Sequence, residues 1–393
     1  MGSNISCRQK PSEEISSAAA EVIGGNEDLL IEIFLRLPAK SVIPLKLVSK
    51  TWLSLISSHH FSLLWHRYRR NKISGIFFNS GLKTEIKYIP LIEYNSNSNG
   101  GESKSSLVVV PNMQTRILHS CNGFLLCVDS LSGNYQVYNP TTKQFSFLPK
   151  PSFHSTGDNS LFSCANIVDR LLYLSFDPLK SLHYKVVLLH EIVHRLYEIH
   201  IYSSETRAWW TPFDDSNPFS APVVLNINNG VYCNGSIHWF SLSSKATSMY
   251  FDVDQHRFCP MPSPLYEAPY NCRHFGESRG HLHLTEHTNY GCFNISQMES
   301  DYSKWSLKYR VELDAMDDFV SHQKIWPNVV YVLSLIHGED GDVFLVRFLG
   351  SNIIFSYNIK DNTIKKLNDE GFGDEFFLFN GHVHSCIETL YAV

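Results

Sequence analysis

The chain has 393 residues, of which 43% are hydrophobic and 18% are charged; this balance is ordinary for a globular protein, and the length allows two or three domains. The formal net charge is −5 and no long block of lysine and arginine occurs, so the electrostatic footprint of a nucleic-acid-binding protein is missing. No apolar run reaches the roughly 18 residues that a membrane-spanning helix needs.

The cysteines predict a reducing compartment. There are nine of them, they are scattered, and they form no CxxC pair. Because no secretory signal peptide is recognisable, we expect reduced thiols in a protein of the cytoplasm, the nucleus or both. Residues 1–23 are rich in Ser, Ala and Glu, and we expect them to form a disordered tail.

The first residues also fit a lipidation pattern. Gly2 follows the initiator Met and Ser6 stands four positions later, as in N-myristoylation signals. Cys7 is a candidate for a second acyl chain, which matters because one chain alone binds membranes only marginally. We favour an unmodified tail, and membrane contact is expected only if this N-terminus is acylated.

The next segment is predicted to be helical. Asp28 can cap or lead the first helix, apolar residues recur after it at three- and four-residue steps, and Pro38 ends the helix. Ser41 is the predicted cap of a second helix, which has Pro44 in its first turn and continues to Ile56. The stretch HHFSLLWHRYRR adds a third helix.

These helices carry more apolar positions than one buried stripe can hold. Leu29 and Leu30 point about 100° apart, and so do Ile33 and Phe34. One face can pack inside the three-helix unit, and the remaining apolar surface predicts a contact with another protein. The alternative is that the helices pack on the rest of this chain.

The order of residues in this segment resembles the F-box. The runs DLLIEIFLRLPAKSV and LKLVSKTWLSLISS are similar to the version found in the large plant F-box families. The matching positions are Leu29, Leu30, Ile33, Leu37, Pro38, Lys40, Ser41, Val48, Lys50 and Trp52. The resemblance implies an F-box over residues 24–71 that docks on the Skp adaptor of a cullin–RING ubiquitin ligase. The residues expected to bind the adaptor are Leu29, Leu30, Ile33, Leu37, Pro38, Val42, Leu45, Val48 and Trp52.

The segment also departs from the F-box pattern. Gly25 and Asn26 stand where the family normally opens with Leu-Pro, and Pro44 stands where an Arg is usual. A Cys is usual where Leu47 or Ser49 stands. The missing Leu-Pro affects the first contact that the resemblance implies with the adaptor, and its loss would weaken adaptor binding.

The remaining residues, 72–393, predict an all-β domain, because short apolar runs alternate with turn-forming residues. Four segments share one rule: an aromatic residue, a turn-forming residue next, and an apolar residue seven positions after the aromatic. They begin at Tyr138, Tyr202, Phe251 and Tyr357. In a hairpin with a four-residue loop and one flanking pair, the first residue lies opposite the eighth, so Tyr138 should face Phe145 and Tyr202 should face Trp209.

A second repeated element places apolar residues two and four positions after a glycine. It occurs at Gly123, Gly235, Gly280 and Gly341. The two-residue period predicts strands with one buried face. About five four-stranded units result, and the irregular one, after Gly280, has Phe293 at its aromatic position. A late strand near Val383 that pairs with an early strand near Ile76 would close a ring. We predict a β-propeller of kelch-like period with six blades; a β-sandwich is the alternative.

This domain resembles the plant F-box-associated domain over most of residues 75–390, through runs such as CNGFLLC and VYNPTTKQFSFLP. In that family the domain recruits the protein to be ubiquitinated. The resemblance implies a multi-domain α + all-β protein that is the non-catalytic substrate-recognition subunit of an SCF-type ligase. Its partners would be a Skp-type adaptor, cullin through that adaptor, and an unknown protein client. An interaction protein that works without the ligase is the alternative.

One segment fits a metal-binding pattern. HEIVHRLYEIH places His190, Glu191 and His194 at zinc-protease spacing, with His200 at the third-ligand position of metzincins. Tyr197 stands where metzincins need a glycine, and the segment runs into a strand-like stretch, so we favour a strand over a zinc peptidase. Five more histidines are expected on solvated strand faces rather than around a shared metal: His281, His283, His287, His382 and His384. We therefore predict no catalytic residue, no cofactor and no metal site.

Overall fold

The structure is a computed structural model. It describes residues 24–69, 72–80, 85–91, 115–129, 131–151, 171–193, 196–212, 219–220, 230–241, 247–262, 272–289, 292–312, 330–337, 342–348, 354–367 and 383–393. The lipidation candidates Gly2 and Cys7, and also His194 and His382, lie outside the described residues. The chain divides into two compact units, Met1–Tyr68 and Arg69–Val393.

The helical segment contains four helices in the described residues. They are α1 (Glu27–Arg36), α2 (Ala39–Leu45), α3 (Lys50–Ser57) and α4 (His59–Arg69). No helix in the described ranges has both the length and the apolar composition that a membrane crossing requires.

The second helix predicted from sequence is in fact two helices. The structure places Pro44 in the last turn of α2, and the N-cap of that helix is Pro38 rather than Ser41. The end of α2 is tightened by bonds between residues three apart, such as the one from the Leu47 N–H to the Pro44 carbonyl (3.0 Å). Ser49 then starts α3, because its Oγ accepts a hydrogen bond from the Trp52 N–H (3.1 Å).

Aromatic rings form the core of the helical unit. Phe34 contacts Trp52 edge to face, with ring centroids 5.0 Å apart, and it contacts Phe61 at 6.2 Å. Phe61 in turn lies 6.0 Å from Trp65. Phe34, Phe61 and Trp65 are buried. Contacts between rings of α1, α3 and α4 therefore stabilise these short helices. Isolated helices of this length are only marginally stable in water.

The second unit is a six-bladed β-propeller. In the described residues its first sheet contains β1 (Ile73–Ser80), β2 (Glu85–Pro90) and β24 (Val383–Ile387). The second contains β3 (Thr115–Cys121), β4 (Phe124–Asp129), β5 (Tyr135–Asn139) and β6 (Gln144–Phe147). The third contains β7 (Leu172–Ser175), β8 (Lys185–Val193), β9 (Leu196–Ser203), β10 (Ala208–Trp210) and β11 (Phe219–Ser220).

Within the described ranges, each of the last three blades has four strands. The fourth contains β12 (Val231–Cys233), β13 (Ser236–Trp239), β14 (Ser248–Asp252) and β15 (Arg257–Met261). The fifth contains β16 (Cys272–Ser278), β17 (His281–Asn289), β18 (Cys292–Met298) and β19 (Trp305–Glu312). The sixth contains β20 (Val330–His337), β21 (Asp342–Phe348), β22 (Ile354–Asn358) and β23 (Thr363–Lys366).

The ring closes in the predicted way. Strand β24 pairs antiparallel with β1, so that Phe77 lies opposite His384, and the first blade combines strands from both ends of the domain. The first strands of neighbouring blades lie side by side, β3 next to β7, β12 next to β16, and β16 next to β20. The pairing covers one side of β1 with a strand from the other end of the domain, and a ring of blades leaves only short, protected strand edges.

The four hairpins predicted from the aromatic rule form in the predicted register. The cross-strand pairs are Tyr138–Phe145, Tyr202–Trp209, Phe251–Phe258 and Tyr357–Ile364. The residue after the aromatic caps the loop; the Asp252 Oδ1, for example, accepts hydrogen bonds from the N–H groups of Asp254 and Gln255. The last loop residue has a positive φ in all four cases, at Lys143, Arg207, His256 and Asn362.

The fifth blade keeps the seven-residue spacing of the rule at another residue. Met298, not Phe293, occupies the aromatic position and lies opposite Trp305, seven residues later. Phe293 pairs with Val311 deeper in the sheet. The prediction for this blade was wrong because methionine can fill the place of a ring in an apolar layer.

The prediction that each repeated strand buries one face was also wrong. Every residue of β4 and of β13 is buried. The reason is that blades stack on both sides, so each inner strand meets a neighbouring blade on either face. Phe124 of the second blade, for example, stacks on Phe176 of the third, with ring centroids 4.4 Å apart.

Two buried polar residues connect parts of the ring. The Asn139 Nδ2 donates to the carbonyl oxygens of Thr389 (3.1 Å) and Tyr391 (2.8 Å), while its Oδ1 caps the loop after β5. The segment that follows β24 is thereby held on the second blade. It passes so close to Gly123, which has φ +91°, that a Cβ there would lie 2.5 Å from the Ile387 carbonyl oxygen.

His119 joins three blades. Its Nδ1 accepts a hydrogen bond from the Leu174 N–H (3.2 Å), so its Nε2 carries the proton and donates to the Gly230 carbonyl oxygen (3.0 Å). These partners belong to the third and fourth blades. Burial lowers the pKa of His119 to about 4, which keeps the ring neutral.

We predict that Asn139→Ala destabilises the propeller by about 2–3 kcal/mol, because two buried carbonyl groups lose their donor. The matched control is Asn358→Ala in the sixth blade, where the same turn position caps only the Lys360 N–H; its cost should stay near 0.5–1 kcal/mol. The midpoint of thermal unfolding of each variant measures this. Equal losses in both variants would contradict the proposed role of Asn139.

We predict that propeller stability falls as the pH drops from 6.5 toward 4. The folded-state pKa of His119 lies below its usual value, so unfolding takes up a proton in this window, worth about 1.4 kcal/mol per pH unit. His119→Gln should be less stable at pH 7 but show a shallower pH dependence. His183→Gln, at an exposed position, should follow the wild-type profile. Parallel profiles for all three proteins would exclude His119 as a source of the effect.

Candidate functional site

Exposed apolar side chains mark the surface of the helical unit. Leu29 and Ile33 are 43% and 44% exposed and lie one helical turn apart on α1, so they share one face. Leu47, in the turn after α2, is 90% exposed, and Val48 and Leu53 are exposed as well. We call these five residues the apolar surface. Five exposed apolar side chains within one small helical unit make it a candidate for contact with another protein.

The structure divides the predicted adaptor-binding residues into three groups. Leu29, Ile33 and Val48 belong to the apolar surface. The half-buried group consists of Leu37, Pro38, Leu45 and Trp52. Leu30 (2% exposed) and Val42 are buried, so these two side chains support the helices and offer no surface to a partner.

Sequence reasoning missed Leu47 and Leu53 as surface residues. Leu47 lies just after the end of α2, and Pro44 within that helix is a sequence signal that a helix boundary is near. Leu53 carries no such signal, because its exposure depends on how α3 packs.

The start of α1 explains one departure from the F-box pattern. The Asn26 Oδ1 accepts hydrogen bonds from the N–H groups of Asp28 (3.1 Å) and Leu29 (3.2 Å), so Asn26 is the N-cap. Asp28, for which the sequence left open either the cap or a leading position of the helix, lies in the first turn beside Glu27. Where the family has Leu-Pro, this chain therefore has a capped helix start.

The zinc-protease pattern does not form its helix. His190 lies on strand β8, which runs to Val193, so the predicted strand is confirmed. The protease pattern needs a helix that begins at its first histidine, and residues 190–193 are extended instead. His194 lies outside the described residues.

Two of the histidines expected on solvated faces are buried. His283 is 1% exposed and its Nε2 lies 3.3 Å from the Gln297 Oε1, and His384 is also buried. The expectation was wrong because neighbouring blades cover both faces of these strands. His281 and His287 are partly exposed.

Comparison with known families decides the identity of the larger unit. A model of the F-box associated beta propeller domain matches residues 76–392. The chain belongs to the F-box-associated β-propeller family. An F-box domain model matches residues 26–64, which include the whole apolar surface. Both resemblances inferred from sequence are thereby confirmed.

Relatives of this F-box protein are similar to it over most of their length. F-box protein At5g07610 of Arabidopsis thaliana is 28% identical over 400 residues, which cover 93% of this chain and 90% of the relative. F-box protein At4g19940 of the same plant is 23% identical over 376 residues, covering 89% and 86% of the two chains. The similarity therefore includes both the F-box and the propeller.

We predict that the adjacent residues Leu29 and Leu30 respond very differently to truncation. Leu30→Ala should destabilise the F-box helices by about 2–5 kcal/mol, because it opens a cavity. Leu29→Ala, the matched control at an exposed position, should change stability by less than about 0.5 kcal/mol. The helical circular dichroism signal during urea unfolding reports on this unit. Similar losses in both variants would show that the burial assigned to this pair is wrong.

Proposed function

We propose that this F-box protein is the substrate-recognition subunit of an SCF-type cullin–RING ubiquitin ligase. Its helical unit would bind a Skp-type adaptor, and cullin through it, while the propeller would hold a protein client for ubiquitination. The observation that carries the proposal is the apolar surface, because its five residues lie within the F-box match and remain exposed in the folded chain.

The distribution of polar and apolar groups supports an adaptor contact. Buried Leu30 and Val42 fix the helices from inside, and the half-buried Leu37 and Pro38 lie where α1 ends. Interfaces place their most important residues at such partly buried apolar positions surrounded by polar ones. Glu32 and Arg36, which form an exposed ion pair at 3.1 Å on α1, would lie at the polar rim.

The function needs no catalytic residue in this chain. Holding a client next to a conjugating enzyme raises its local concentration, and that alone accelerates transfer to a lysine of the client. A rigid ring suits this task because its loops are presented at fixed positions.

Ile33→Asp tests the adaptor contact. A carboxylate at an exposed position leaves the fold intact, and in an apolar interface it would lose its water without gaining a partner. We expect adaptor affinity to fall at least about thirtyfold, as for a residue worth 2 kcal/mol or more. Leu307→Asp, on an exposed propeller position, is the matched control and should bind normally.

Binding is measured by titrating a Skp-type adaptor onto the purified full chain, and thermal unfolding confirms that each variant is folded. Wild-type affinity in Ile33→Asp would show that the docking face lies elsewhere. A folded wild-type chain that binds no adaptor would favour the alternative, an interaction protein that works without the ligase.

A further inference from the structure

The third blade brings two imidazoles and a carboxylate together. Strands β8 and β9 pair antiparallel, so that His190 lies opposite Glu198 and Leu188 lies opposite His200. Since alternate residues of a strand share a face, the two histidines and the glutamate project from the same face of the sheet. One potential ligand atom from each residue lies within 4.8 Å of the other two.

The two imidazoles approach the same carboxylate oxygen. The His200 Nε2 is 3.4 Å from the Glu198 Oε2, and the His190 Nδ1 is 3.8 Å from it. Ligand atoms around a tetrahedral zinc ion lie about 3.3–3.5 Å apart, given metal–ligand distances of about 2.0–2.2 Å. Small rotations of the side chains would therefore bring the three atoms to coordinating positions.

The surroundings of the cluster resemble those of a metal site. The Thr211 Oγ1 lies 3.0 Å from the His200 Nδ1, so it can accept a hydrogen bond from the Nδ1–H, which leaves the Nε2 unprotonated and able to bind a cation. On the same face the sheet continues with buried Leu188 and Val186. The side chains of His190 and Glu198 are 18% and 29% exposed, which leaves a path for an ion from solvent.

We infer that His190, Glu198 and His200 form a zinc site that connects β8 and β9. Two imidazoles with one carboxylate suit Zn²⁺, and three protein ligands leave a fourth position for water. This departs from the sequence analysis, which predicts no metal site, and it uses a different set of residues from the HExxH pattern. The site lies near the end of the β8–β9 hairpin, where an ion shared by both strands would hold the strand ends together.

Zinc titration of the purified full chain tests this inference. The wild type and His183→Gln, which removes an exposed histidine of the same blade, should each bind one Zn²⁺ per chain in competition with a chromophoric chelator. His190→Gln, His200→Gln and Glu198→Gln should each lose at least about tenfold in affinity. Thr211→Val keeps the shape of its side chain but removes the oxygen, and it should weaken binding about 10- to 100-fold.

Further measurements distinguish this site from binding elsewhere on the chain. Zn²⁺ should raise the melting temperature of the wild type and slow hydrogen exchange of amides in residues 190–198, and it should do neither in Glu198→Gln. Glu198→Gln changes one atom of a partly exposed side chain, so it gives a result even if a histidine variant fails to fold. The inference is overturned if the wild type binds no stoichiometric zinc, or if its zinc affinity survives unchanged in Glu198→Gln and in the folded histidine variants.

Discussion

The pairing of β24 with β1 is the constraint on which the rest of the propeller depends. These strands are about 300 residues apart in the chain, so closing the ring costs conformational entropy that local hairpins do not. The closing blade is therefore reinforced. Asn139 binds two carbonyl groups of the final segment, and Gly123 leaves room for its backbone. Once the ring is closed, each blade is covered on both faces by its neighbours, and the inner strands can be apolar throughout.

The propeller was largely predictable from sequence because its hairpins are local. The aromatic residue, the cap beside it and the apolar residue seven positions later act within eight residues, and all four predicted pairs formed in register. What failed depended on tertiary packing or on a single residue. Met298 replaced an aromatic residue, and Ser49 started a helix within one apolar run. The burial of both strand faces arises from neighbouring blades, which no local period can reveal.

The candidate sites show the same contrast. Patterns within one segment could be predicted, whereas contacts between segments far apart in the sequence could not. Sequence identified the apolar positions of the F-box but could not separate exposed Leu29 from buried Leu30, because packing of the other helices decides which face is covered. The sequence did not point to the proposed zinc site, for a related reason. The HExxH pattern counts residues along one segment, whereas Glu198 meets His190 across a strand pair. The register of β8 and β9, and not sequence spacing, determines which side chains meet.

Ring closure by the last strand also has a consequence for biosynthesis. The helices end at residue 69 and can fold soon after they leave the ribosome, but the first blade is incomplete until residue 387 has emerged. During most of translation the nascent chain therefore contains a folded helical unit and a propeller whose first blade still lacks β24. Arrest of synthesis, or a premature stop codon, upstream of β24 would thus leave a polypeptide whose helices are formed while its exposed strand edges invite chaperones or aggregation.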